Sequence, residues 1–221
     1  MTPEERAKAQ ALESDGDLAG ALKVYREAYL KSDKDEDAIL GIAQCAMMLD
    51  DLGIAMEFFV KLLIVNHENP WGYLGRGMIM MENARSTRAL SDIRKALKLD
   101  NPPTEMRIDA AAALNDYGFS EEAIEALMPL RDTHYNDPDF RAEWAFGLLI
   151  IEDMNNQDIL NIISEELEKA DTEDKPEPYY HLCNYARMYK TGRFTAVREL
   201  AKALLSTAPE LTDRAHLLGL V

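Results

Sequence analysis

Cysteine is scarce: Cys45 and Cys183 are the only two in 221 residues. A pair so far apart in a chain of this size makes no disulfide framework. Each sits inside a helical pattern, as a small buried residue does, and the expected setting is cytoplasmic. Positive charge is also short. Lys and Arg number 24 against 40 Asp and Glu, a net charge of −16. So acidic a chain is repelled by nucleic-acid phosphates and anionic membranes, and neither is expected as a partner. The imbalance lies at the ends, with 7 basic and 14 acidic residues in 1–70, 8 and 10 in 71–136, and 9 and 16 in 137–221. No apolar run approaches the roughly 18 residues that a bilayer span requires. The opening MTPEERAKAQ lacks a charged stretch followed by an apolar one, so no signal peptide is expected. Runs of period-two alternation rich in β-branched residues are missing, which leaves helix as the prediction almost throughout.

Catalytic and ligand-binding signatures are missing as well. There is no G-x-x-x-x-G-K-[ST], no H-E-x-x-H and no G-x-S-x-G. His67, His134, His181 and His216 lie far apart without ligand spacing, so no metal is expected. The glycine-rich segment Gly72–Gly77 follows no strand, and close helix packing explains it better than a phosphate cradle. Asp50-Asp51 and Glu121-Glu122 fall at turns or helix starts, where acids are ordinary. The reading is of a protein without cofactor or catalytic residue, not an enzyme.

What is present is ample apolar material, 47% of residues, arranged with a long period. Ala21, Ala55, Ala89 and Ala123 are spaced by 34, each followed four residues on by a large residue: Tyr25, Phe59, Ile93 and Leu127. Seven residues on stand Ala28, Leu62, Ala96 and Leu130. The preceding helices keep the beat with Ala9, Ala43, Gly77 and Ala111, then Leu12, Ala46, Met80 and Leu114. Small residues at these places let helix backbones approach, so each period is a helical hairpin. Pro3, Glu4 and Glu5 suit a helix start. Gly16-Asp17, Asp50-Asp51, Asn83 to Ser86 and Gly118 are the predicted hairpin turns. Ser86 and Ser120 are predicted N-caps. Pro70, Pro102-Pro103, Pro138 and Pro178 fall between periods, and Pro129 is expected to end or kink its helix.

A 34-residue period with A-x-x-x-[FY] resembles the tetratricopeptide (TPR) repeat family. SDGDLAGALKVYREAYLKSD, YGFSEEAIEALMPL and YARMYKTGRFTAVRELAKALLSTAP carry the likeness. It covers about Pro3 to Leu130 well and Pro178 to Pro209 fairly. The family's closing proline is replaced by Asp33, His67, Asn101 and Tyr135, and Gln157 stands where the next alanine is due. The resemblance implies an all-α, right-handed superhelical solenoid of about six hairpins, near 2–35, 36–69, 70–103, 104–137, 138–170 and 178–209, with a capping helix at 210–221. All of 1–221 reads as one domain, and Asp171–Pro178 as a long charged loop within it.

In such proteins the first helix of each repeat lines a concave groove that holds a protein segment. Matching positions are Arg6, Gln10 and Glu13; then Leu40, Gln44 and Met47; then Trp71, Leu74, Met78 and Met81; then Glu105, Ile108, Ala112 and Asn115. In the sixth unit, Arg187 and Lys190 take the place. The expected binding set is Leu40, Gln44, Met47, Trp71, Leu74, Met78, Met81, Ile108 and Asn115. Methionine suits a surface that accepts varied apolar ligands, and the same stripe also suits a core. TPR domains that hold a chaperone's acidic C-terminus use a basic clamp. Here its later points are Gly41, Trp71 and Gly75, so that role is not expected. The expectation is a protein-interaction scaffold or adaptor. An assembly or secretion chaperone, or a self-associating homo-oligomer, stands as the alternative.

Overall fold

The computed structural model describes residues 1–84, 87–135, 137, 139–141, 143, 144 and 147. Helices follow one another: α1 (Pro3–Ser14), α2 (Leu18–Lys31), α3 (Glu36–Met48), α4 (Leu52–Val65), α5 (Pro70–Ala84), α6 (Thr87–Lys98), α7 (Thr104–Asp116) and α8 (Ser120–Leu127). A 3-10 turn at Met128–Leu130 and the short α9 (Arg131–His134) come next. No strand occurs among the described residues. The chain divides into two compact units, Met1–Met106 and Arg107–Val221.

In the first unit each helix from α1 to α5 packs on its successor, ending with α5 on α6, while α3 also touches α5. The 34-residue spacing is the cause. Ala9, Ala21, Ala43, Ala55 and Ala89 are all fully buried. A Cβ on Gly77 would come within 2.8 Å of Ile93 Cγ1 and 3.0 Å of the Ala89 carbonyl oxygen, so α5 and α6 meet where α5 has no side chain. Tyr25 and Phe59 are buried in the same way, one helix pair apart. Burying a side chain as large as Phe59 contributes about 2–3 kcal/mol.

The turns repeat as well. After α1 the Gly16 and Asp17 amides donate to the Glu13 and Leu12 carbonyls at 3.0 and 2.8 Å. Asp50 and Asp51 donate to Met47 and Ala46 at the same distances, as Gly118 and Phe119 do to Asn115 and Leu114. This closure requires a left-handed residue. Gly16 and Gly118 have φ of +79° and +84°, whereas Asp50 adopts +62° with a side chain in place. Helix starts are capped in register: Asp17 accepts from the Gly20 amide and Asp51 from Ile54; Asp35 accepts from Ala38 and Asn69 from Trp71. The Glu36 carboxylate accepts from both Asn66 (2.9 Å) and Asn69 (3.1 Å), tying the start of α3 to the α4–α5 connection.

In the second unit Ala111, Leu114, Ala123 and Leu127 are buried at the expected positions, with Ala110 beside them. Pro129 ends α8 at Leu127, as the sequence predicts, by leaving a 3-10 turn in its place. Ser120 is not the N-cap. The cap position is Phe119, which makes no side-chain cap bond, and Ser120 is the first helical residue with its hydroxyl buried. The left-handed Gly118 moves the chain into the helix one residue earlier than the cap prediction assumes. Helical residues 140, 143, 144 and 147 follow, with the Phe140 and Trp144 rings stacked 5.6 Å apart. The predicted cap Ser86, most of the fifth unit, the loop at 171–178, the sixth unit with Arg187 and Lys190, the last helix and Cys183 lie outside the described residues.

Candidate protein-binding face

Leu40, Gln44 and Met47 stand on α3, and Trp71 and Met78 on α5; all five are half-buried. Leu40 and Met47 rest on a core cluster of Ala43, Ala46, Ala55, Phe59 and Ile79, which fixes their stems and leaves an outer edge accessible. The Trp71 amide donates to Asn69 Oδ1 at 3.0 Å, so the helix cap also sets where the indole begins.

Four expected binding residues are placed otherwise. Leu74 and Met81 are 1% and 2% exposed, and in the second unit Ile108 and Asn115 are 7% and 2% exposed. Side chains with so little surface offer a ligand nothing to touch. Met80, expected in the core, is half-buried instead. The accessible strip in the first unit is therefore Leu40, Gln44, Met47, Trp71 and Met78.

The polar groups at the start of this face are already engaged. Arg6 is ion-paired with Asp37 across α1 and α3. Glu13 accepts a hydrogen bond from Cys45 Sγ at 3.4 Å. Burial, reinforced by Glu13, pushes the Cys45 thiol up to about 12 and raises the Tyr25 phenol as well. Gly41 and Gly75 have a specific use. A Cβ at Gly41 would fall 2.4 Å from the Tyr25 ring, and one at Gly75 would fall 2.2 Å from the Phe59 ring. Each glycine is the seat of the previous hairpin's aromatic residue, not a failed ligand contact.

Two features escape a reading of spacing alone. Arg76 holds Asp92 bidentately, at 2.7 and 2.9 Å, joining α5 to α6 in a largely buried pair. That contact raises the Arg76 guanidinium further. In the second unit Asn115 Nδ2 donates to the Glu143 carbonyl (3.1 Å) and to its Oε2 (2.9 Å). Burial pushes Glu143 up to about 7; the Asn115 bond opposes this, and Asp116, Asp139 and Asp109 add to it. The signal for Glu143 was in the 34-residue register, which aligns Gly41, Gly75, Asp109 and Glu143.

Among the described residues no group of three or more His, Cys, Asp or Glu is placed to hold a metal. Among them, too, no helix is long and apolar enough to cross a membrane.

No family model and no curated protein matches the sequence. Solved structures do resemble the fold. PilW, a type IV pilus biogenesis factor, superposes with a TM-score of 0.63 at 16% identity, over 95% of this chain and 96% of its own. TTC0263, a thermophilic TPR protein of Thermus thermophilus, gives 0.59 at 15% identity over 91% and 98%. A tetratricopeptide repeat protein from Parabacteroides merdae gives 0.55 at 18% identity over 94% and 82%. With the 34-residue period, the helical hairpins and these likenesses together, the chain has the tetratricopeptide-repeat fold.

Proposed function

We propose that this protein is a non-enzymatic interaction scaffold, which binds a segment of a partner protein on the face shared by α3 and α5. The observation that carries this reading is the half-buried strip of Leu40, Met47, Trp71 and Met78 around Gln44. Two neighbouring first helices bring these side chains onto touching elements. Apolar side chains that are anchored below and open above supply contact area at little entropic cost, and an aromatic anchor is the commonest source of binding energy. The chemistry favours an apolar segment over an acidic tail, because Arg6 is neutralised by Asp37 and the later clamp positions are Trp71 and the ring-seating Gly41 and Gly75.

The test is capture of partners from native lysate by the wild-type chain and by Met47→Glu/Met78→Glu. Both positions are half-buried, so the fold should survive, and circular dichroism checks that it does. Met81→Glu is unsuitable, because it would bury a charge in the core. Loss of the captured protein with a folded variant supports the reading, and equal capture by both forms overturns it.

A further inference from the structure

The exposed face of α6 is basic in a chain that is otherwise strongly acidic. Arg88, Arg94, Lys95 and Lys98 are all exposed, as is Ser91 between them. At 3.6 residues per turn these five positions fall within about 120° of the helix circumference and extend about 15 Å along it. The one acid of α6, Asp92, points the other way and is held by Arg76. No carboxylate of the helix itself therefore pairs with Arg88, Lys95 or Lys98, the three cations that carry the stripe; Arg94 beside them has an interaction of its own.

The fold does not demand this face. The places of Arg88, Lys95 and Lys98 are taken by Gly20, Glu27 and Leu30 on α2, and by Ile54, Lys61 and Ile64 on α4. Lys61 there is paired with Glu57, four residues earlier, at 2.8 Å. The residue four before Lys95 is Ser91, and the Lys95 ammonium lies instead 4.2 Å from the centre of the Tyr73 ring. Among the described residues Arg88 and Lys98 make no ion pair or hydrogen bond. Basic residues in a last turn favour the helix dipole, which accounts for Lys95 and Lys98. Arg88 stands in the first turn, where a cation opposes that dipole.

We propose that this stripe is a docking surface for a short acidic segment of a partner protein, separate from the apolar strip on α3 and α5. Charge complementarity selects an acidic ligand, and the limited extent of the stripe selects a short one. At physiological ionic strength a charge acts over about 8 Å. Three or four carboxylates matched to the stripe are thus attracted locally, while the acidic remainder of the chain is largely screened. A nucleic acid, with a charge every ~1.7 Å, would run past the stripe onto acidic surface, and an anionic membrane would meet the same surface.

The test uses the full chain and a fluorescein-labelled helical peptide of about twelve residues, with Glu at i, i+3, i+4 and i+7. Binding is read by anisotropy at low and rising salt. The wild type should bind it, and Arg88→Glu/Lys95→Glu/Lys98→Glu should weaken binding at least about tenfold. Lys23→Glu/Arg26→Glu on α2 should leave binding unchanged. Arg88→Gln/Lys98→Gln, which keeps Lys95 over Tyr73, should give an intermediate loss with an unaltered circular dichroism spectrum. The proposal is overturned by any of three results: a wild-type chain that does not bind the Glu peptide, a triple variant that binds it equally, or single-stranded DNA or phosphatidylserine vesicles binding this face more tightly than the peptide.

Discussion

The two compact units use one repeat position in opposite ways. In the first, Gly41 and Gly75 receive the rings of Tyr25 and Phe59. In the second, the same register holds Asp109, which is exposed, and Glu143, and the residue sixteen before Glu143 is the aliphatic Leu127. Aromatic goes with glycine, and aliphatic with carboxylate. The repeat keeps the register, not the residues that stand in it. Where a ring occupies the space, the position is apolar and inert. At Glu143, half-buried in the second unit, burial, with Asp116, Asp139 and Asp109 adding to it, pushes the carboxyl up to about 7.

The comparison is broken most severely at Phe59. Phe59→Ala should cost about 3–5 kcal/mol in urea unfolding, as a buried aromatic does. Gly75→Ala should cost about 1–3 kcal/mol, because the ring must move. The double variant should cost less than the sum of the two, since the cavity and the added methyl occupy one place. Strict additivity would sink the idea that Gly75 is a ring seat. Asp109→Ala, at the same register position but exposed, should change stability by less than about 1 kcal/mol.

Next in size is Arg76→Met. It leaves Asp92 buried and uncompensated, and about 2–4 kcal/mol should be lost in the same assay.

The titration comes third. A group whose folded pKa is raised from 4.5 to about 7 contributes its stability in full below about 4.5, and that contribution is lost as pH rises through 7. Glu143→Gln should therefore flatten the pH dependence in this window and, near pH 8, stabilise the second unit by about 2–3 kcal/mol. The two tryptophans separate the units, one in each. In a Trp71→Phe background the fluorescence of Trp144 follows the second unit. A pH profile unchanged by Glu143→Gln would remove the carboxylate from the account.

The smallest effect is at the turns. Asp50→Gly puts glycine at the left-handed position that Gly16 and Gly118 already hold, and should add about 0.5–1 kcal/mol. A loss of stability on thermal unfolding would show that the Asp50 side chain has a use of its own.

The sequence made the fold legible because packing in this architecture is periodic. Ala21, Ala55, Ala89 and Ala123 had to be small wherever helices cross, and all four are fully buried. The accessible strip on α3 and α5 was half legible. Leu40, Gln44, Met47, Trp71 and Met78 are accessible, but Leu74 and Met81 are not, because an inner helix has neighbours on both sides and buries more than half its circumference. One helical step separates Met80 from Met81, and periodicity alone cannot tell which of two adjacent methionines a neighbouring helix covers. Asn115 was read as a ligand contact for a related reason. Its side chain is buried and its amide nitrogen is spent on Glu143, 28 residues on, and no local pattern announces such a bond.

The buried thiol of Cys45 has a practical consequence. With its pKa near 12, only about one molecule in 10⁵ carries a thiolate at neutral pH, so an alkylating reagent reaches it only when the seam between α1 and α3 opens. In a Cys183→Ser background, the rate of iodoacetamide labelling at Cys45 becomes a built-in clock for that opening. It needs no added probe, and it times how often the first repeats open.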